Sequence, residues 1–172
     1  MNDPTTAYVA LGSNLDHPVE QVRRALAELN QIGGTRVMRH SALYRSAPVG
    51  PGDQPDYVNA VACLITTLGP LALLLELQSI ERRHGRVRGA ERWAARTLDL
   101  DLLLFDDFSL NTPQLTVPHP RLHERGFVLV PLREIAPELH VPGHGPVTEL
   151  LTRVRSDDVQ RLAETARAGL EP

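Results

Sequence analysis

Two aspartates separated by a single residue are the side chains of this sequence best suited to chemistry. Asp99 and Asp101 alternate with Leu98, Leu100 and Leu102, a period of two that predicts a β-strand. Residues i and i+2 of a strand point to one face about 6.5 Å apart. Two carboxylates on one face repel each other unless a cation lies between them, and Mg²⁺ prefers oxygen ligands. The pair therefore predicts a site for two magnesium ions; two aspartates on a solvent-facing sheet surface are the alternative.

An arginine-rich stretch precedes the aspartates and indicates what the metal would face. All 18 basic residues are Arg, and six of them lie between Arg82 and Arg96. Guanidinium groups bind phosphate in a bidentate manner, and arginines beside a carboxylate-held metal are typical of phosphoryl-transfer sites. The alternative is a solvated surface run, partly paired with Glu81 or Glu91. Trp93, in the same polar stretch, either caps a hydrophobic patch or closes over an aromatic ligand.

Several other classes of protein are disfavoured by what the sequence lacks. It contains no phosphate-binding Gly-Lys-Ser/Thr loop, no Gly-x-Gly-x-x-Gly and no Gly-x-Ser-x-Gly. A single cysteine, Cys63, excludes an intrachain disulfide, and its apolar neighbours favour core packing. The net charge of -3 gives no general reason to expect nucleic-acid or membrane partners. With no visible signal peptide or membrane span, we expect a cytoplasmic, monomeric enzyme forming one domain over 1–172.

The elements that must position the aspartates follow the order strand, helix, strand, strand, helix, strand. This order predicts an α+β fold, a ferredoxin-like antiparallel sheet with both helices on one face. The elements are expected at 7–11, from 18 to about 33, at 37–44, at 57–67, from 70 to about 85, and at 98–102.

The parts outside this pattern consist of a long loop, one helix face and a C-terminal extension. The turn-rich loop at 47–56 is long enough to suggest a functional role. In the second helix we expect one face to carry Leu71, Leu74, Leu75 and Gln78. Beyond 107 we expect a short strand, a Pro-rich turn at 118–120, a helix at 127–135 and an amphipathic helical tail at about 147–170.

Six sequence motifs, in order, resemble those of the 6-hydroxymethyl-7,8-dihydropterin pyrophosphokinase family of the folate pathway. The resemblance covers about 7–140, and a set of motifs in order is more specific than any one of them. Departures occur at Gly89, Gln114 and Pro120, where related enzymes can carry Lys, Arg and an aromatic residue. The matching segments are Gly12-Ser13-Asn14-Leu15, Tyr44-Arg45-Ser46, 53–59, Gly85-Arg86-Val87-Arg88, 92–103, and 117–119 with 125–127.

The resemblance implies transfer of the β,γ-pyrophosphoryl group from ATP to the hydroxymethyl oxygen of the pterin, with release of AMP. Asp99 and Asp101 would ligate two Mg²⁺ ions between ATP and the pterin alcohol. Arg86 and Arg96 would stabilise the group being transferred. These four residues are the expected catalytic set.

The same resemblance implies two binding sites. Tyr57 and Phe127 would sandwich the pterin, Asn59 would hydrogen-bond its edge, and Trp93 would close over the site. The ATP-binding positions are Gln78, Glu81, Arg86, Arg88, Trp93, Arg96, Leu102, Thr116, His119 and Arg125. The pterin-binding positions are Ser46, Ala47, Val49, Tyr57, Asn59, Trp93, Asp99 and Phe127.

Two other functions fit parts of the same pattern. A nucleotidyltransferase also uses paired aspartates and two metals, but it releases pyrophosphate instead of AMP. A ferredoxin-like RNA-binding module would expose aromatic and basic residues on its strands. The strand residues that face the expected site are instead Asp99 and Asp101.

Overall fold

The computed structural model describes residues 3–48, 52–85 and 97–163, and its largest element is a six-stranded antiparallel sheet. Within these ranges, a 3₁₀ helix at Leu122–Glu124 accompanies four α-helices. The elements in chain order are β1 (Thr5–Ser13), α1 (Pro18–Leu29), β2 (Thr35–His40), β3 (Tyr44–Ser46), β4 (Tyr57–Thr66), α2 (Pro70–Arg83), β5 (Asp99–Phe105), β6 (Leu110–Asn111), β7 (Thr116–Val117), α3 (Gly126–Ile135), β8 (His140–Val141), β9 (Gly145–Pro146), α4 (Val147–Thr152) and β10 (Gln160–Arg161).

The central strand of the sheet is β1, which pairs with β4 on one side and β5 on the other. The far edge of β4 pairs with β2 and then with β3, and β10 extends the sheet beyond β3. The resulting order, β5-β1-β4-β2/β3, is that of the ferredoxin-like fold. The predicted α+β class is therefore confirmed.

One predicted strand is divided into two. The strand expected at 37–44 forms β2 and β3, because the ladder is interrupted after Ser41, whose backbone N–H still donates to the Val61 carbonyl at 2.9 Å. The Ser41 hydroxyl accepts a hydrogen bond from the backbone N–H of Val61 at 3.0 Å and donates to the Ala42 carbonyl at 2.7 Å. A side chain that replaces ladder bonds in this way allows a bend in an edge strand.

The two faces of the sheet carry separate hydrophobic cores. On the first face, Ala7, Val9 and Leu11 pack beneath α1 and α2, as expected for both helices. On the second face, Tyr8 and Val61 belong to the core formed with α3 and α4. The leucines that alternate with the two aspartates are buried on the first face. The period of two in β5 therefore directs both carboxylates to the second face.

The face of α2 that packs on the sheet differs from the prediction. Its buried residues are Leu73, Leu77, Ile80 and Glu81, whereas Leu71 and Leu75 are exposed and Leu74 and Gln78 are only half-buried. The expected face was wrong because leucines occur on every side of this helix, and the buried side also includes the carboxylate of Glu81. Glu81 accepts a hydrogen bond from the backbone N–H of Leu100 at 2.8 Å, which compensates for its burial.

The chain beyond α3 is less helical than expected. The helix expected at 127–135 is confirmed as α3, but the helical tail expected at 147–170 is present only as α4. The chain then turns through 153–159 and adds β10 to the edge of β3, so a helix over this part was wrong. The expectation for 164–170 lies outside the described residues. In the described parts, no helix is both long and apolar enough to span a membrane.

Candidate active site

A cavity of about 410 Å³ opens on the second face of the sheet, where β1, β4 and β5 approach the start of α3. Its size lies within the range of small-molecule sites, roughly 300–1,000 Å³. The strand order and the packing of α3 on the sheet bring together lining residues that are distant in sequence. The predicted site residues lining it are Ser46, Ala47, Tyr57, Asn59, Asp99, Asp101, Arg125 and Phe127.

The floor of the cavity is built from rows of residues that run across three strands. In one row, Gly12 of β1 lies between Asn59 of β4 and Asp99 of β5. In the next row on this face, Ala10 is the partner of Asp101. Glycine and alanine on the central strand leave space above the sheet, because larger side chains would fill it. The carboxylates and the amide therefore border a shared opening.

The positive side of the cavity is supplied by Arg125, immediately before α3. Burial lowers the pKa of its guanidinium, while the neighbouring carboxylates of Asp101 and Asp99 act in the opposite direction. Arginine remains charged under these conditions. The guanidinium also lies 5.6 Å from the centre of the Phe127 ring. A fixed cation thus accompanies the carboxylate pair within one site.

A histidine beside this arginine is uncharged at neutral pH. Burial, followed by the charges of Arg125 and Arg121, lowers the pKa of His119 to about 4. Its Nδ1 accepts a hydrogen bond from the backbone N–H of Arg121 at 3.1 Å, which leaves the ring proton on Nε2. The backbone N–H of His119 donates to the Leu103 carbonyl at 2.8 Å. His119 can therefore donate a hydrogen bond without adding charge, although it does not line the cavity itself.

The part of the cavity bordered by Tyr57 and Phe127 is suited to a flat, polar ring. Tyr57 and Phe127 reach it from β4 and α3 respectively. The buried amide of Asn59 is oriented by its Nδ2, which donates to the Ser46 hydroxyl at 2.6 Å. A fixed amide between aromatic side chains can select a heterocycle by shape and by its hydrogen-bonding edge.

The remaining predicted residues fall into two groups. Gln78, Glu81, Leu102 and Thr116 are described but do not line the cavity. Leu102 is buried in the core of the first face, and the Thr116 hydroxyl donates to Asn111 Oδ1 at 3.2 Å. Their roles in ATP binding stay predictions. Val49, Arg86, Arg88, Trp93 and Arg96 lie outside the described residues.

Sequence reasoning missed part of the cavity wall. The segment after α4 contributes Arg155 and Asp158. Only tertiary packing brings these residues to the cavity, so no local sequence pattern indicates them. Gly12 and Gly126 stand within matching motifs, and their small size beside site residues was an available signal. The unpredicted lining residues are Ala10, Leu11, Gly12, Pro48, Ala60, Arg121, Glu124, Gly126, Val128, Arg155 and Asp158.

Comparison with known families decides the identity of the chain. Residues 8–137 match the family model described as 7,8-dihydro-6-hydroxymethylpterin-pyrophosphokinase (HPPK). The chain belongs to the HPPK family. The resemblance stated from the sequence is therefore confirmed, and the matched range contains the strands and the part of α3 that build the cavity floor.

Two relatives within the HPPK family are similar over nearly their whole length. The 2-amino-4-hydroxy-6-hydroxymethyldihydropteridine pyrophosphokinase of Haemophilus influenzae is 53% identical over 157 residues, which is 91% of this chain and 98% of that protein. The protein of the same name from Pseudomonas aeruginosa is 49% identical over 155 residues, covering 90% of this chain and 95% of its own. The chain is thus a pyrophosphokinase of folate synthesis that transfers pyrophosphate from ATP to hydroxymethyldihydropterin.

Solved structures agree with the HPPK fold. The crystal structure of Plasmodium falciparum HPPK-DHPS with pteroate has a TM-score of 0.71 and 15% sequence identity. The superposition covers 89% of this chain but only 43% of that longer chain. At this identity the similarity shows the fold alone, and that fold is confirmed.

Proposed function

We propose that Asp99 and Asp101 bind two Mg²⁺ ions at which ATP and the pterin alcohol meet. The observation that carries this proposal is the shared face of β5, on which both carboxylates border the cavity together with Arg125. Bound magnesium would neutralise phosphate charge and make the hydroxymethyl oxygen a better nucleophile. The reaction joins that oxygen to the β-phosphorus of ATP, releases the hydroxyl proton to water, and breaks the bond between this phosphorus and the bridging oxygen retained by AMP.

The donor set fits magnesium better than a softer metal. Both side chains offer carboxylate oxygens, which Mg²⁺ prefers, and the ion usually keeps water and substrate phosphates as its other ligands. Within residues 3–48, 52–85 and 97–163, no cluster of three or more His, Cys, Asp or Glu side chains could hold a metal. A pair of carboxylates suits an ion that arrives together with ATP, because phosphates and water supply the remaining ligands.

The phosphates of ATP would lie toward Arg125 and His119. Arg125 supplies a full positive charge next to Asp101, and the neutral His119 supplies a hydrogen-bond donor at Nε2. Charge neutralisation is the main catalytic requirement of phosphoryl transfer, because charge spreads over the oxygens of the transferred group. Arg86 and Arg96, which are not among the described residues, are also proposed to neutralise the phosphates.

The pterin would occupy the part of the cavity bordered by Tyr57 and Phe127. Tyr57 and Phe127 supply aromatic faces, Asn59 supplies an oriented amide, and the backbone at Ser46 and Ala47 supplies further polar contacts. Asp99, in the same row as Asn59, would then lie near the hydroxymethyl group. This arrangement places the nucleophilic oxygen between the ring site and the phosphate site.

Product analysis tests the proposal. The protein is incubated with ATP, Mg²⁺ and 6-hydroxymethyl-7,8-dihydropterin, and the products are separated by anion-exchange chromatography. Equal amounts of AMP and pterin diphosphate are expected, and omission of Mg²⁺ should abolish both. Release of inorganic pyrophosphate without AMP would indicate nucleotidyl transfer instead. We propose that the protein acts as a single-domain monomer, which size-exclusion chromatography with light scattering would check.

A further inference from the structure

A segment outside the predicted site connects two walls of the cavity. We call residues 155–162 the strap. At its end, Gln160 and Arg161 pair with Arg45 and Tyr44 of β3. The backbone N–H of Leu162 then donates to the Leu43 carbonyl at 2.9 Å. The strap thus covers the otherwise open edge of the short strand that ends at Ser46.

The other end of the strap packs against the start of α3. A Cβ atom added to Gly126 would lie 2.4 Å from the Arg155 carbonyl oxygen and 3.1 Å from the Ser156 Cβ. Only glycine allows so close an approach without a shift of backbone. Because Phe127 is the next residue, the position of the strap is coupled to the aromatic wall of the cavity.

Between these two attachments, Asp158 holds the end of β3. Its Oδ2 accepts a hydrogen bond from the backbone N–H of Ala47 at 3.3 Å, and both residues line the cavity. Ala47 follows Ser46, whose hydroxyl orients the amide of Asn59. The Asp158 carboxylate therefore bonds directly to the backbone beside the proposed pterin site. It is linked to the Asn59 amide only indirectly, through Ala47 and Ser46.

We propose that Asp158 is a positioning residue for the pterin. It fixes the backbone at Ala47, and the strap sets the distance between this backbone and Phe127. The inference rests on the proposed pterin site and adds a residue beyond it. Because Asp158 lies on the pterin side, its loss should weaken pterin binding selectively and leave ATP binding unchanged.

The test compares Asp158→Ala, Asp158→Asn and Asp157→Ala with the unmodified protein. Asp157 is a matched control, since it lies in the same strap and its removal changes the charge equally, but its carboxylate pairs with Arg155 at 2.7 Å. KM for pterin and for ATP, kcat and the thermal midpoint are measured for each. Pterin Kd is measured with α,β-methylene-ATP and Mg²⁺ present.

Asp158→Ala should raise KM and Kd for the pterin about fivefold, a change expected for one lost hydrogen bond. Its kcat and its KM for ATP should stay within about twofold, and Asp158→Asn should recover most of the pterin affinity because an amide oxygen still accepts. Unchanged pterin affinity in Asp158→Ala, an equal rise of KM for ATP, or an equal effect of Asp157→Ala would overturn the inference. Failure of the unmodified protein to form AMP would instead contradict the proposed function.

Discussion

Asn59 and Asp99 occupy the same register on opposite sides of β1, with Gly12 between them. One belongs to the proposed pterin site and the other to the proposed metal site, so a single row of the sheet joins the two. Because neighbouring antiparallel strands are about 4.8 Å apart, this row fixes the spacing between the ring-binding amide and the metal-binding carboxylate. The central strand β1 can separate the two groups in this way only if its residue in this row has no side chain that fills the space between them.

A methyl group at Gly12 should therefore weaken pterin binding. The new Cβ in Gly12→Ala would lie 3.2 Å from Asn59 Oδ1 and 3.7 Å from a carbon of the Tyr57 ring. We expect pterin affinity to fall about tenfold, or about 1.4 kcal/mol, with ATP affinity preserved. Isothermal titration with each ligand measures both. Gly33→Ala is the control, since no atom lies within 4 Å of its added Cβ; equal effects of the two substitutions would contradict the prediction.

Loss of either aspartate should abolish turnover and keep the fold. Asp99→Ala and Asp101→Ala each remove oxygen ligands needed for charge neutralisation, so kcat should fall at least about 1,000-fold, or about 4 kcal/mol in barrier. Steady-state AMP formation measures the loss, and thermal unfolding checks the fold. Asp107→Ala, at an exposed carboxylate just beyond β5, should retain activity. A thermal midpoint that drops by more than about 10 °C in both variants would favour a structural role for the pair.

Stability should depend on pH through His119. Its pKa is about 4 in the folded protein against 6.5 for an ordinary histidine, so the unfolded chain binds this proton more readily. The free energy of unfolding should therefore decrease as pH falls from about 6.5 to 4, and this contribution should stop changing below pH 4. In His119→Gln the decrease should be smaller. Urea unfolding at a series of pH values measures it, and identical profiles would contradict the assigned environment.

A buried histidine on the first face should be important for stability. His84 contacts the side-chain oxygens of Gln21 and Glu28, and the Gln21 amide is oriented by donating to the Asp16 carbonyl at 2.9 Å. His84→Ala leaves buried polar groups without their partner, which costs about 2–3 kcal/mol. The thermal midpoint should fall by roughly 5–10 °C.

The neighbouring Arg83 provides the control for that substitution. It pairs with the same glutamate at 3.7 Å, but its side chain is 59% exposed. Arg83→Ala should therefore cost less than about 1 kcal/mol. If both substitutions lowered the midpoint equally, the burial of His84 would not explain its contribution.

Much of the fold and part of the site could be predicted because local patterns agree with tertiary structure there. In β5, the alternation of leucine and aspartate specifies which face is buried, and β1 confirms it by pairing Gly12 with Asp99. Proline at the first position of α1 and α2 marks where each helix begins. The ferredoxin-like order then brings Asn59 into the same row as Asp99, and the start of α3 adds Phe127 to the same cavity.

The errors arose where tertiary contacts override local pattern. In α2, leucines occur on every side, and the buried face was recognisable only through the bond between Glu81 and the backbone of Leu100. In the C-terminal part, Ser156 to Asp158 are weak helix formers, which disfavours a continuous helix. The strand β10 has no comparable local signal, because it forms only where β3 offers an edge. The contribution of Asp158 to the cavity depends on that pairing and has no local signature.

The central claim, that Asp99 and Asp101 hold the two metal ions, is tested most directly by counting bound ions. Mn²⁺ replaces Mg²⁺ in an electron paramagnetic resonance titration of the protein with α,β-methylene-ATP and 6-hydroxymethyl-7,8-dihydropterin, after subtraction of Mn²⁺ bound to free nucleotide. The account predicts two ions per chain in the unmodified protein and fewer in Asp99→Asn and in Asp101→Asn. Two ions retained at unchanged affinity in both variants would contradict it.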